Sequence, residues 1–119
     1  ISTMDEGRIK GFLLHPAVKP AVKAAFQRTL DVKAALLETK RKLTEREKEL
    51  KGITEDQTRL RANLQNVPAT SAAYKRYLDK FDKQETQIEL LQEEVRKLQM
   101  EEKSQQAEVD DVLSGISAG

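Results

Sequence analysis

The sequence contains no cysteine and no tryptophan. Without cysteine, the chain cannot form disulfides, thiolate zinc sites or cysteine nucleophiles. Aromatic residues make up only 4% of the chain, as three Phe and two Tyr, which are too few to fill a wide core. The apolar residues therefore suit a narrow seam between helices better than a compact globule.

Long apolar runs are also missing. No stretch approaches the roughly 18 to 20 residues that a membrane-spanning helix needs, and the N-terminus lacks the basic start and apolar run of a secretion signal. The formal net charge is +1, which gives no reason to expect nucleic acid or an anionic membrane as partner. We expect no transmembrane segment and, because the first residue is not Met, a fragment of a longer protein.

Recognisable catalytic chemistry is absent as well. The one histidine, His15, has no Cys or second His with which to hold a metal. Adjacent acidic residues such as Glu101 and Glu102 point away from each other on a helix, so they do not form an acid/base pair. No phosphate-binding loop, nucleophile elbow or HExxH motif occurs. The sequence predicts no enzyme, no small-molecule substrate, no cofactor and no catalytic or metal site.

What the sequence does have is charge and heptad spacing. Charged residues make up 34% of the chain, a content typical of coiled coils and long helices. Apolar residues recur at the a and d spacing of helices that pack along a seam, and polar residues interrupt that seam at intervals. The predicted seam consists of Val32, Leu36, Leu43, Leu50, Ile53, Gln57, Leu60, Leu64, Tyr77, Phe81, Gln84, Ile88, Leu91, Val95, Leu98 and Val109.

The stretch from Asn66 to Ser71 interrupts the heptads and predicts a turn. Pro68 cannot continue a regular helix, and Thr70 and Ser71 are good N-caps for a second one. If the chain folds back here, seam residues whose numbers add to 141 face each other. That register places Gln57 against Gln84 and gives six wholly apolar or aromatic layers out of the first eight. Slipping by one heptad pairs Arg46 with Glu102 but puts Leu64 on Gln84.

The predicted fold is all-α, a long antiparallel two-helix coiled-coil hairpin with a short irregular N-terminal lead. The expected boundaries are 1–19 for the lead, which is a candidate part of a missing domain, 20–67 and 71–113 for the helices, 68–70 for the turn, and 114–119 for a flexible tail. An alternative ends the first helix at Gly52 and restarts it at a Thr54/Gln57 capping box. The heptads pass through Gly52 unshifted, which favours an unbroken helix.

The charge distribution suggests two surfaces. Residues 22–64 carry a net charge of +4 and residues 72–113 a net charge of −4, so the two segments attract each other. Basic residues of the first helix (Lys33, Lys40 to Lys42, Arg46 and Lys48) are interleaved with acidic ones. Near the turn, the side chains of Tyr74, Lys75, Arg76 and Lys80 either support seam packing or form a tip that contacts a partner.

The strings EDQTRLRANL, YKRYLDK and QETQIELLQ, between Glu55 and Gln92, resemble the helical region of a family of bacterial proteins called mucoidy inhibitor homologues. The resemblance covers about half of the chain. It implies a helical hairpin that flanks a β-rich domain, in the bacterial cytoplasm or the cell envelope. The family has no established activity, so the resemblance assigns no catalytic residue.

Function is therefore expected to be mechanical. At 1.5 Å per residue, an arm of about 45 residues would be roughly 65–70 Å long, suited to spacing or presentation. Its expected partner is protein, either a second copy or the remainder of the parent protein. The alternative is a nucleic-acid-binding arm that uses the basic face of the first helix. A third arrangement, a parallel multimer of extended chains in which the bend does not close, is disfavoured because Pro68 would break the rod.

Overall fold

The computed structural model describes residues 19–118, with two α-helices and no strand in that range. Helix α1 is Pro20–Asn66 and helix α2 is Ala72–Ala118. The predicted all-α helical hairpin is confirmed. The irregular lead, including His15, falls on residues 1–18 and lies outside the described residues.

Helix α1 begins at a proline, as the sequence predicts. The carbonyl oxygen of Lys19 accepts hydrogen bonds from the backbone N–H groups of Val22 and Lys23, both at 3.0 Å. Pro20 therefore occupies the first turn, where its missing N–H is not needed and its fixed φ already suits a helix. The helix then runs for 47 residues without a break, so Gly52 does not divide it.

The turn is closed by Ser71. Its hydroxyl oxygen accepts a hydrogen bond from the backbone N–H of Tyr74 at 3.1 Å, and its own O–H donates to the carbonyl of Pro68 at 2.6 Å. A backbone bond from Ser71 N–H to the same carbonyl, at 3.0 Å, tightens the turn. Of the two predicted caps, Ser71 is the residue that caps α2, and Thr70 is exposed beside it.

Replacing Ser71 with Ala should lower the free energy of unfolding by about 0.5–2 kcal/mol, the usual effect of removing a helix N-cap. Thr70→Ala is the matched control, because this neighbouring hydroxyl does not cap the helix. Urea unfolding followed by far-UV circular dichroism measures both. Equal effects of the two substitutions would show that the Ser71 contacts do not stabilise α2.

The end of α2 differs from the predicted boundary at residue 113. The helix continues to Ala118, where a flexible tail over 114–119 was expected. Leu113 packs against the buried cluster of Val32, Leu36 and Val109, and Ile116 is half-buried three residues later. The apolar face thus extends beyond the last heptad position used for the prediction, and its burial favours continued helix. The other three helix ends lie within one residue of the predicted positions.

The chain divides into two compact units. The first contains the described residues 19–40 and 100–118. Its core is the Val32, Leu36, Val109 cluster, and it also buries the polar residues Thr29, Lys33 and Thr39. The hydroxyls of Thr29 and Thr39 donate to the carbonyls of Ala25 and Ala35, four residues earlier, so burial leaves neither hydroxyl without an acceptor.

The second unit comprises residues 41–99 and contains the turn. Leu60 is fully buried in it, and Leu43 and Gln57 are also buried. Most other seam residues are half-buried, as expected where two helices share one contact line and leave the flanks open to solvent. This unit holds the contacts that fix the register and the surfaces discussed below.

Candidate interaction surfaces

All sixteen residues of the predicted seam are buried or half-buried. The buried ones are Val32, Leu36, Leu43, Gln57, Leu60 and Val109. When two side chains of the second unit bond across the hairpin, the sum of their residue numbers differs from 141 by no more than one. Examples are the ion pair between Arg46 and Glu94 and the Arg61 guanidinium stacked 5.5 Å from the centre of the Phe81 ring. The turn residues Pro68 and Thr70 are exposed.

In the polar layer of the seam, where the 141 register places Gln57 against Gln84, both glutamine side chains bond to carboxylates. The Gln57 side-chain amide donates to Glu85 Oε1 at 2.7 Å, and the Gln84 amide donates to Asp56 Oδ2 at 2.6 Å. Each glutamine thus bonds to a carboxylate on the opposite helix. A charged acceptor gives a stronger hydrogen bond than a second amide, which explains why the glutamines do not bond to each other. The Oε1 atom of Gln84 is buried and accepts no hydrogen bond.

Arg46 also bonds across the hairpin. Its guanidinium bonds to Glu94 at 2.8 Å on the opposite helix and to Glu49 at 3.3 Å on its own. The long side chain lets the charged group leave the apolar seam while its carbon stem stays against it. Arg46 therefore bridges Glu49 on its own helix and Glu94 on the opposite helix, and it offsets the repulsion between these two carboxylates.

Next to the polar layer, ion pairing changes the pKa of Asp56. A hydrogen bond from Arg59 at 2.8 Å, followed by the bond from Gln84, holds the pKa of Asp56 below its ordinary value of 3.8. On α2, a two-pronged contact from Arg96 likewise lowers the pKa of Glu93 below 4.5. Both contacts favour the charged carboxylate, which is the cause of each shift.

The pH dependence follows from these directions. A carboxyl group whose folded-state pKa is depressed stabilises the fold above its unfolded-state pKa, and this stabilisation is lost as the pH falls through the folded-state pKa. We expect stability to decline below pH 3.8 for Asp56 and below pH 4.5 for Glu93. An NMR titration measures the pKa of both carboxyl groups. The Arg59→Ala and Arg96→Ala variants, which remove the arginine partners, are the matched comparisons. Native midpoints at or above those values would contradict it.

The tip surface, defined here as Tyr74, Lys75, Arg76 and Lys80, lies at the start of α2. The three basic side chains are exposed and form no ion pair with a described residue, while Tyr74 is half-buried. Residues 59–83 contain six basic and two acidic side chains, a net charge of +4. Leu78, which is 41% exposed, adds an apolar side chain next to this surface. The tip surface is thus an exposed basic surface beside an exposed leucine, and Lys80 also interacts electrostatically with Asp56.

On the predicted basic face of α1, more of the positive charge is neutralised by acidic neighbours than on the tip surface. Lys33 is buried, Arg41 pairs with Glu45 at 2.6 Å, and Arg46 is held between two glutamates. Only part of the positive charge counted from the sequence is therefore available on that face. This arrangement could not be read from the sequence, because it depends on which rotamers the arginines adopt.

A shallow groove of about 590 Å³ lies on the flank of the second unit. We call it the Gly52 groove. It is lined by both apolar and polar residues: Gly52, Ile53, Leu90, Leu91, Arg46, Glu49, Gln87 and Glu94. Leu90 stands at its wall and is 66% exposed. A Cβ atom added at Gly52 would meet nothing within 4 Å. The heptad positions did not predict this groove, since both Gly52 and Leu90 lie off the seam.

Within residues 19–118, no group of three or more His, Cys, Asp or Glu side chains is placed to hold a metal ion. Neither of the two helices there has an apolar window long enough to cross a membrane. Comparisons with protein families, curated proteins and solved structures find no match to this chain. The resemblance to mucoidy inhibitor homologues thus stays a prediction from the sequence strings alone.

Proposed function

We propose that this chain is a non-catalytic coiled-coil arm that mediates protein–protein assembly, acting as a spacer that presents its turn to a partner. The observation that carries the proposal is the tip surface. Three exposed basic side chains without ion pairs, next to an exposed leucine, are suited to an acidic protein surface. The hairpin holds these side chains on a helix capped by Ser71, so little ordering is needed when the partner binds.

A mechanical role also agrees with the way the helices are built. Polar residues in the seam, such as Gln57 and Gln84, are each held by a carboxylate across the hairpin. Such polar positions specify register and orientation at some loss of stability. An arm that must place its turn at a fixed position requires a fixed register. The parent protein, which we propose to be bacterial, would then supply the body from which the arm extends.

The test compares two triple charge reversals in the full chain. Lys75→Glu, Arg76→Glu and Lys80→Glu alter the tip surface, and Lys42→Glu, Lys48→Glu and Lys51→Glu change the same number of exposed charges on α1. Immobilised protein is used to capture binding proteins from a nuclease-treated bacterial lysate. We expect a discrete protein to bind the native chain and the α1 variant but not the tip variant. Identical captured proteins for all three chains would refute the role of the tip.

The nucleic-acid alternative is tested with the same proteins. A nucleic-acid arm that uses the basic face of α1 would shift labelled DNA or RNA at low salt, and its affinity would fall steeply as salt is added. The α1 variant would then lose the shift while the tip variant kept most of it. No shift with the native chain at low salt would exclude this alternative.

A further inference from the structure

The first part of α1 carries a second line of side chains beside the seam. These residues recur at the three- and four-residue spacing that places side chains on one face of a helix. We call them the outer stripe: Lys23, Phe26, Leu30 and Lys33. Val32 packs with Val109 of α2, and Leu30, two residues earlier, points about 160° away from Val32. The outer stripe therefore lies on a side of α1 that α2 does not cover.

The outer stripe is nevertheless covered. Lys33 is only 9% exposed, and the other three residues of the stripe are half-buried. One heptad further along the same line, Leu37 is 60% exposed and Lys40 is also exposed. Side chains of α1 itself would shade Leu37 as much as Leu30, so they do not account for the difference. Something other than the two helices covers α1 as far as Lys33 and no further.

The cover comes from the same chain, because these exposed fractions are those of a single chain. Outside the two helices and their turn, the chain has the N-terminal lead, residues 1–18, which joins α1 at its first turn. Leu30 lies about 15 Å along α1 from Pro20. The six residues from Leu14 to Pro20 can span up to about 20 Å, so the lead is long enough to reach the outer stripe.

We infer that the N-terminal lead binds across the outer stripe, with its apolar run, Phe12, Leu13 and Leu14, against Phe26 and Leu30. Covering large apolar side chains on both partners supplies the free energy of this contact. The lead then fastens the base of the arm, and the outer stripe is occupied by the chain itself rather than by a second copy. This inference is independent of the tip surface, which lies in the second unit.

Charge fits the same placement. Among residues 19–118, Lys33 is the only buried residue with a charged side chain, and a buried charge is stable when an opposite charge pairs with it. The lead contains two acidic residues, Asp5 and Glu6. They are further from Pro20 than the apolar run is, just as Lys33 is further from Pro20 than the apolar part of the outer stripe. A lead that runs along α1 away from Pro20 brings these carboxylates to Lys33.

The first test introduces cysteine pairs into the full chain, which has no cysteine of its own. Leu14→Cys is combined either with Leu30→Cys on the outer stripe or with Arg28→Cys, which lies at a similar distance from Pro20 on another face of α1. The pair with Leu30→Cys should form its disulfide about tenfold faster or more, because the bound lead holds the two thiols together. Equal rates would overturn the inference. Disulfides between chains that increase with protein concentration would also overturn it, since a second copy would then be the cover.

The second test measures the burial of Lys33 in the cysteine-free chain. Acetylation by an amine-reactive ester, followed by mass spectrometry, compares Lys33 with Lys40, which is exposed at the same heptad position. Combining Phe12→Ser with Leu13→Ser should speed the labelling of Lys33 relative to Lys40 by about tenfold or more, because burial of one large apolar side chain is worth at least that factor. Leu37→Ser is the matched control and should leave the ratio unchanged. A Lys33 that stays protected in the lead variant would show that the lead does not cover the outer stripe.

Discussion

Leu60→Ala should lower the free energy of unfolding by about 2–5 kcal/mol, the range measured when a large buried side chain is truncated in a core. Leu60 has no exposed surface at all. A two-helix seam has no second layer that could move in to fill the cavity. Because small domains are stabilised by only about 5–15 kcal/mol in total, this one substitution could remove much of the stability of the second unit.

The measurement is urea unfolding followed by far-UV circular dichroism, at a protein concentration low enough to keep the chain monomeric. Leu37→Ala is the control, because it removes the same atoms from a side chain that is 60% exposed. It should change stability by no more than about 0.5 kcal/mol. If the two variants lost equal stability, Leu60 would not lie at the centre of the packed seam.

Replacing Gln57 and Gln84 together with Leu should have the opposite effect on stability. The double variant removes a buried oxygen that accepts no hydrogen bond and adds an apolar layer to the seam. We expect a gain toward the lower end of about 1–4 kcal/mol, the range found when a buried ion pair is replaced by apolar residues, because Glu85 loses the hydrogen bond from Gln57. The polar layer is expected to fix the register of the helices, so the gain should come with a loss of that specificity.

Register can be measured because the native chain has no cysteine. Cysteines placed at Ile53 and Ile88 report the 141 register, and cysteines at Ile53 and Val95 report a slip of one heptad. In the native background, only the first pair should form a disulfide readily. In the Gln57→Leu, Gln84→Leu background, the slipped pair should form as well. Greater stability with unchanged disulfide formation would mean that other contacts set the register.

Much of the fold could be predicted because it depends on periodic features. Apolar residues at heptad spacing predict two long helices, and Pro68 with Ser71 predicts the turn. The prediction placed the end of α2 too early, because it ended the helix just after Val112 although the heptad position of Val109 recurs at Ile116. Ile116 lies one heptad beyond Val109, and Leu113 packs against the buried cluster, so the apolar face continues past the predicted end.

The surfaces were less predictable for a different physical reason. Long polar side chains choose among several partners, so the sequence does not predict that Arg46 bonds to Glu94 or that Gln57 bonds to Glu85. The Gly52 groove depends on residues away from the seam, which the heptad pattern does not constrain. The basic residues of the tip surface were the exception, because they form a sequence cluster beside the turn.

The register of the second unit also restricts how its length can change in evolution. Each seam residue of α1 meets a residue of α2 at a fixed distance from the turn, so an insertion in one helix alone would move every layer beyond it out of step. Seven residues added to α1 would need seven added to α2 at the facing position. Homologues with longer or shorter arms should therefore differ by paired insertions or deletions, one in each helix, while the turn at Pro68 and Ser71 keeps its length.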